Sequence, residues 1–237
     1  AALRTKNIHR GIGIASFIEV TNPSAAFYGV GGAKISSQDG VAVRLDAQGS
    51  VICQTSITEQ GQGSESLTAQ IVGSVLGVSM DRVRVILGDT DNTPYGGGTW
   101  ASRGAGIGGE AALQATKVLR RSILDVAAAI LQSTAGELDV VDNRIVNAAD
   151  SAPRIELSEI ARIVYFRPDT LPPGIQPELM ATRHFVPREY PFAFTNGIQA
   201  SWVEVDTDTG FVKLLKHWVV EDCGTMINPQ LVDEQIR

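Results

Sequence analysis

Two glutamines set among glycines, Gln60-Gly61-Gln62-Gly63, carry the most suggestive chemistry in the chain. Each amide offers two donors and an acceptor, and glycine lets the backbone take φ > 0 and approach a ligand closely. The heptapeptide Glu59-Gln60-Gly61-Gln62-Gly63-Ser64-Glu65 lies between an apolar run, residues 51–57, that reads as a strand and an amphipathic run (Leu67, Ile71, Val75, Leu76) spaced for a helix. A helix starting there supplies N–H groups without intrahelical acceptors and a potential that favours an anion. The combination suits a polar, phosphorylated cofactor. The same residues also describe a Gly-rich strand-to-helix turn with solvated glutamines.

A second stretch, residues 88–109, is denser still in glycine. Within it Thr99, Ser102 and Arg103 bring two hydroxyls and a guanidinium fork just ahead of a helix start, equipment suited to phosphate oxygens. The alternative for Arg103 is an ordinary surface ion pair. Two dinucleotide-like patterns are present. Gly61-Gln-Gly63-Ser-Glu-Ser66 follows a strand but has Ser where close packing favours Gly or Ala, and Gly104-Ala-Gly106-Ile-Gly-Gly109 follows no apolar strand. A nicotinamide- or flavin-binding domain is therefore a weaker alternative, and no Walker A loop occurs. Ser56, Glu59 and Asp89 could do acid/base work, but nothing pairs them with a histidine, so no nucleophilic triad is legible.

The elements that must hold these loops follow from periodicity. Residues 11–20 read as a buried strand; residues 41–45 and 51–57 form a hairpin pattern around Asp46-Ala-Gln-Gly49. The helix after the first loop stops at Gly77, and residues 82–87 form a further strand. Residues 110–132 make one long helix, 144–146 a short strand, and a small helix begins at Ser158. Six of the ten prolines fall at 168–191, which predicts an extended, irregular crossing and a possible subdivision of the chain there. Residues 199–206 and 211–220 alternate around Asp206-Thr-Asp-Thr-Gly210, a hairpin signal. The whole reads as α+β, with mixed sheets, packed helices and two βαβ-like pieces.

Composition sets outer bounds. At 237 residues and 43% apolar the chain can bury a real core. Its formal charge of −6 and lack of Lys/Arg runs argue against a nucleic-acid surface. No apolar stretch reaches the roughly 20 residues of a membrane-spanning helix. Cys53 and Cys223 form no CxxC, and His9, His184 and His217 are scattered. Neither a disulfide, an iron–sulfur cluster held by this chain alone, nor a protein-ligated metal is expected. The first residue is Ala rather than Met, the expectation being an excised piece of a longer chain.

Taken in order, several blocks resemble the molybdenum hydroxylase family of xanthine dehydrogenase, aldehyde oxidase and aerobic carbon monoxide dehydrogenase large subunits. They are Arg10-Gly-Ile-Gly-Ile-Ala-Ser-Phe17, the heptapeptide at 59–65, Gly88-Asp-Thr-Asp91 with Pro94-Tyr-Gly96 and Gly98-Thr-Trp-Ala-Ser-Arg103, Val203-Glu-Val-Asp206 with Thr209-Gly210, and Asp222-Cys-Gly224 with Ile227-Asn-Pro229. The resemblance covers nearly the whole chain and implies part of a molybdopterin-binding region. It implies that Gln60, Gly61, Gln62 and Gly63, with Gly98, Thr99, Ser102, Arg103 and Gly104, cradle molybdopterin cytosine dinucleotide. Cys223, Gly224, Asn228 and Gln235 lie where the family makes further contacts. Phe17, Ile18 and Glu19 correspond to a stretch near the substrate pocket, or to a plain buried strand.

The same resemblance implies a cytoplasmic, homo-oligomeric complex with iron–sulfur and FAD-carrying subunits or domains, acting on a small aldehyde, N-heterocycle or CO. Departures are also visible. Ser64 stands where many relatives carry His, and Ile198-Gln199 follow Thr195-Asn-Gly197 where a His is common. The family's catalytic glutamate lies in a Gly-x-Gly-Glu motif that does not occur here, so this chain is expected to supply the cradle without the base and to be inactive by itself. A non-catalytic module of the same fold is the alternative.

Overall fold

The computed structural model describes residues 3, 5, 7–189 and 192–237. In chain order its first elements are β1 (Ile8–Thr21), β2 (Asp39–Leu45), β3 (Val51–Thr55), α1 (Ser64–Leu76), β4 (Val83–Ile86) and α2 (Gly109–Leu131). Then come β5 (Leu138–Val141), β6 (Arg144–Asn147), β7 (Pro153–Glu156), α3 (Leu157–Phe166), β8 (Met180–Phe185), β9 (Ala193–Asp206), β10 (Val212–Asp222) and α4 (Pro229–Ile236). They divide into a larger unit, Asn22–Phe192, and a smaller one, Ala1–Thr21 with Ala193–Arg237.

In the larger unit the alternating pattern at 41–55 gives the expected antiparallel hairpin, with Val41 opposite Thr55 and Leu45 opposite Val51. The Asp46 carboxylate closes its turn by accepting from the Gln48 and Ser50 N–H groups. From β3 the chain passes through the first Gly-rich loop into α1 and returns as β4, parallel to β3. Only this one crossover matches a βαβ piece. α2 instead leads from the second Gly-rich loop to β5, in a separate antiparallel sheet ordered β5-β6-β7.

One face of the β4-β3-β2-β8 sheet packs on α1 and α2. Val41, Val43, Leu45 and Val51 meet Val72, Leu76, Leu119 and Ile123, all with no exposed surface. Burying side chains of this size contributes about 1.5–3 kcal/mol each. Alanines 111, 112, 115 and 127 line the buried stripe of α2, so its backbone lies close to the sheet. Gly77 ends α1 at φ +78, where an added Cβ would overlap Val140 O. Only glycine satisfies both demands.

Two expectations are corrected. Residues 180–185 form β8, an edge strand paired with β2, because the proline-free run Met180-Ala-Thr-Arg-His-Phe185 lies between the prolines of the crossing. Residues 190 and 191 of that crossing, and Lys6 of the polar N-terminal segment, lie outside the described residues. In the smaller unit β1 is a strand, but not a buried one. The β1-β9-β10 sheet leaves Ile12, Ile14 and Ile18 66–77% exposed, since no layer from its own described residues covers it. Among the described residues no helix is long and apolar enough to cross a membrane.

Candidate functional site

The first Gly-rich loop is organised around Glu59. Its carboxylate accepts from the N–H groups of Gly61, Gly63 and Glu65, each at 3.0 Å. Gly61 (φ +99) and Gly63 (φ +81) take left-handed backbone, which lets the loop curl around that carboxylate. Burial pushes the Glu59 carboxyl up, but the backbone donors of Glu65, Gly63, Gly61 and Gln60 outweigh it and hold the group below its ordinary value. The start of α1, expected to be open to a ligand anion, is therefore occupied by the chain's own carboxylate.

The two glutamines divide their work. Gln62 turns inward: its Oε1 accepts from Gln60 N, and its Nε2 donates to Thr58 O and Ser64 Oγ. Gln60 is exposed, its amide within 3.3 Å of Thr99 O. That contact belongs to a seam between the two loops. Thr58 N donates to Thr99 Oγ1 (2.9 Å), which in turn donates to Thr58 O (2.7 Å). Gly104 arrives close by, with Ser64 Oγ the nearest atom to where its Cβ would lie. Among the described residues nothing lies within 4 Å of where a Cβ on Gly61 (φ +99) or Gly98 (φ +74) would sit, so both present bare backbone outward. The structure thus joins Gln60, Gly61, Gln62, Gly63, Gly98, Thr99 and Gly104 in one rim. Ser102 is exposed beside them, with Ala101 and Ser102 both left-handed (φ 47 and 48).

Arg103 is the exception. Its side chain has no exposed surface and points into the unit, where Nε (3.0 Å) and a terminal nitrogen (2.6 Å) donate to Asp39 Oδ2. The other terminal nitrogen donates to Ser36 O, and the one bound to Asp39 donates also to Gln38 O. A buried guanidinium is stable only when paired and hydrogen-bonded, and here the chain itself meets that demand. The guanidinium expected to meet a phosphate is a strut, and it is no surface ion pair either. Sequence reasoning missed its partner, Asp39. The available signal was a carboxylate at the head of an apolar strand, a place where a charge needs a counter-charge.

After Arg103 the chain makes a wide π-helical turn, Gly104–Gly108, that runs into α2. Ile107 N bonds to Arg103 O, so the N–H groups of residues 104–106 precede the first intrahelical bond. Here, rather than at α1, helix geometry leaves donors for an anion. The acid/base candidates are spent on structure. Ser56 links Asp39 to Gly40 N, and Asp89 closes its own turn by accepting from Asp91, Asn92 and the Asn92 amide.

The remaining candidates lie in the smaller unit. Phe17 sits opposite Gly197, where a Cβ would overlap its ring; Ile18 is 77% exposed and Glu19 is exposed. Asn228 caps α4 by accepting from Leu231 N. Gly224 (φ +73) turns the chain after Cys223, an exposed free thiol, and Gln235 is exposed on α4. Among the described residues no group of three or more His, Cys, Asp or Glu side chains is placed to hold a metal ion.

The sequence profile of the molybdopterin cofactor-binding domain matches residues 1–237. The nicotine 6-hydroxylase large subunit of Paenarthrobacter nicotinovorans is 35% identical over 229 residues, 96% of this chain and 28% of that protein. The carbon monoxide dehydrogenase large chain of Hydrogenophaga pseudoflava is 31% identical over 95% of this chain and 27% of its own length. The crystal structure of quinoline 2-oxidoreductase from Pseudomonas putida 86 superposes with a TM-score of 0.82 and 34% identity, over 99% of this chain and 29% of that one. The chain thus spans under a third of the length of these relatives.

Proposed function

The chain belongs to the molybdopterin cofactor-binding domain family of the molybdenum hydroxylases, and from that premise we propose that it forms one part of the cofactor cradle in a hydroxylase large subunit. The observation that carries the reading is the seam between the two Gly-rich loops. It brings Gln60 and the bare backbone of Gly61 and Gly98 to one rim, beside the opening N–H groups of the 104–108 turn. That rim fits a polar, anionic group, because glycine leaves room for close approach and the helix start favours negative charge.

Gln60, Gly61, Gly98, Ser102 and Gly104 would touch the cofactor. Gln62, Gly63 and Thr99 would hold the loops in shape for it. Cys223, Gly224, Asn228 and Gln235 supply further contacts, and Phe17, Ile18 and Glu19 border the substrate. When bound, molybdopterin cytosine dinucleotide supplies the oxidation chemistry, and the protein binds and orients it. The substrate is a small aldehyde, N-heterocycle or CO, in keeping with what the relatives' names declare for nicotine, quinoline and carbon monoxide. Electrons leave through iron–sulfur and flavin subunits of a cytoplasmic, homo-oligomeric complex. This chain, lacking the Gly-x-Gly-Glu motif, has no turnover by itself.

Gln60→Ala in the complete subunit tests the reading. A lost donor costs on the order of 1–3 kcal/mol of binding, so molybdenum per subunit should fall while the unfolding midpoint stays put. Wild-type molybdenum content in that variant would sink the assignment of this loop. Arg103→Ala is a poor probe, because it strands Asp39 inside the fold.

A further inference from the structure

We propose that Asp39 is a positioning residue for the cofactor rim, acting through Arg103 to fix the loop that faces the 59–65 turn; this rests on the reading just given. The pair is sealed on all sides. Neither side chain has exposed surface. Asp39 Oδ2 takes two guanidinium donors while Oδ1 takes the Ser56 hydroxyl at 2.8 Å. Arg103 also donates to Ser36 O at 2.6 Å and Gln38 O at 2.8 Å, and Gly97 N donates to that same Gln38 carbonyl at 2.8 Å. The segment 36–39 therefore holds both ends of the 97–103 stretch of the second loop.

The loop is built around this clamp. A Cβ at Gly97 would overlap the Arg103 guanidinium and Ser36 O, and one at Gly96 would overlap Ser56 Oγ. The Trp100 ring stacks over the guanidinium, 5.1 Å from its carbon to the ring centroid. Between Trp100 and Arg103 the chain places two residues without glycine's freedom, Ala101 and Ser102, in left-handed backbone. Such a conformation persists only where its surroundings over-determine it. Thr99, directly before this segment, makes the seam to Thr58. Asp39 opens β2, paired on one side with β3 and on the other with β8, so the clamp ties the loop to a strand in the interior of the sheet. A buried ion pair contributes little net stability compared with an apolar pair, and its best-attested use is fixing one arrangement among several.

The test uses the complete subunit with its partners. Asp39→Asn keeps the shape and removes the charge, and Ser56→Ala leaves the ion pair in place but removes the Oδ1 partner together with the acceptor of Gly40 N. Ile145→Ala, in the separate β5-β6-β7 sheet, serves as a control of lowered midpoint, compared at equal distance below each variant's melting temperature. Readouts are molybdenum per subunit and hydrogen exchange of the amides of residues 97–104. Since losing a charge-assisted hydrogen bond lowers an equilibrium constant by about tenfold or more, Asp39→Asn should hold about a tenth of wild-type molybdenum or less and exchange these amides fast. Ser56→Ala should show the faster exchange with a smaller molybdenum loss, and Ile145→Ala neither. Wild-type exchange at 97–104 in Asp39→Asn, or equal losses in the control, would overturn the proposal. If Asp39→Asn does not fold, Ser56→Ala with unchanged exchange overturns it. A wild-type subunit without molybdenum would instead refute the cofactor reading and leave the exchange result to decide the clamp.

Discussion

Glu59 offers the most direct check on how the first loop is held. Three backbone N–H groups converge on its carboxylate at 3.0 Å, from Gly61, Gly63 and Glu65. A capping side chain contributes about 0.5–2 kcal/mol, and the solvent around this exposed carboxylate weakens each bond. For all three, about 2 kcal/mol is expected on Glu59→Ala, and about 1 kcal/mol on Glu59→Gln, which keeps one acceptor oxygen. In a unit of this size that corresponds to about 4–8 °C and 2–4 °C in Tm. The contribution must also depend on pH. The folded pKa lies below the ordinary value of 4.5, so the stabilisation is complete well above 4.5 and is lost as pH falls through the folded value. Urea unfolding of wild type and Glu59→Gln, followed by circular dichroism at pH 7 and at about pH 3.5, should show a gap at pH 7 that narrows in acid. A gap of the same size at both values, or none at pH 7, would refute the carboxylate-centred loop.

Other expectations are equally concrete. Thr99→Val removes the two hydroxyl bonds of the seam and should cost about 1–2 kcal/mol, with faster hydrogen exchange at Thr58 N; unchanged protection there would count against the seam. Gly77→Ala puts a Cβ onto Val140 O in left-handed backbone and should destabilise by more than about 3 kcal/mol, read from denaturant midpoints. Burial pushes the Cys53 thiol up to about 12, whereas Cys223 is exposed. Iodoacetamide at pH 8 should therefore add one label to the native chain and two after unfolding, by intact mass.

Much of the larger unit was legible because its signals are local. The 41–55 hairpin, the stop of α1 at Gly77 and the span of α2 follow from alternation, a glycine and a 3.6-residue period. What failed was non-local. β8 was hidden by prolines on either side, and only its pairing with β2 makes it a strand. β1 reads as buried because Ile12, Ile14 and Ile18 alternate with small residues, but alternation says which face is apolar, not what covers it. The two loops were recognisable one at a time. Their seam joins residues 41 apart, and the partner of Arg103 lies 64 residues upstream, distances over which composition carries no information.

The site residues that were misjudged share one cause. A charged side chain in a Gly-rich loop suggests a charged ligand, but the cost of leaving the charge unpaired applies before any ligand arrives. Here the chain meets that cost internally: Glu59 occupies the start of α1, and Asp39 occupies the Arg103 fork. The donors left on the rim are neutral: the Gln60 amide, bare glycine backbone and the first N–H groups of the 104–108 turn. Neutral dipoles held by charges that the chain itself satisfies have little ordering left to do, so a bound group meets a rim already in shape. On this view the charges act one step behind the contact surface. Substitutions at Asp39 and Glu59 then change the shape of the rim, whereas substitutions at Gln60 act first on its contacts and remove one bond of the seam.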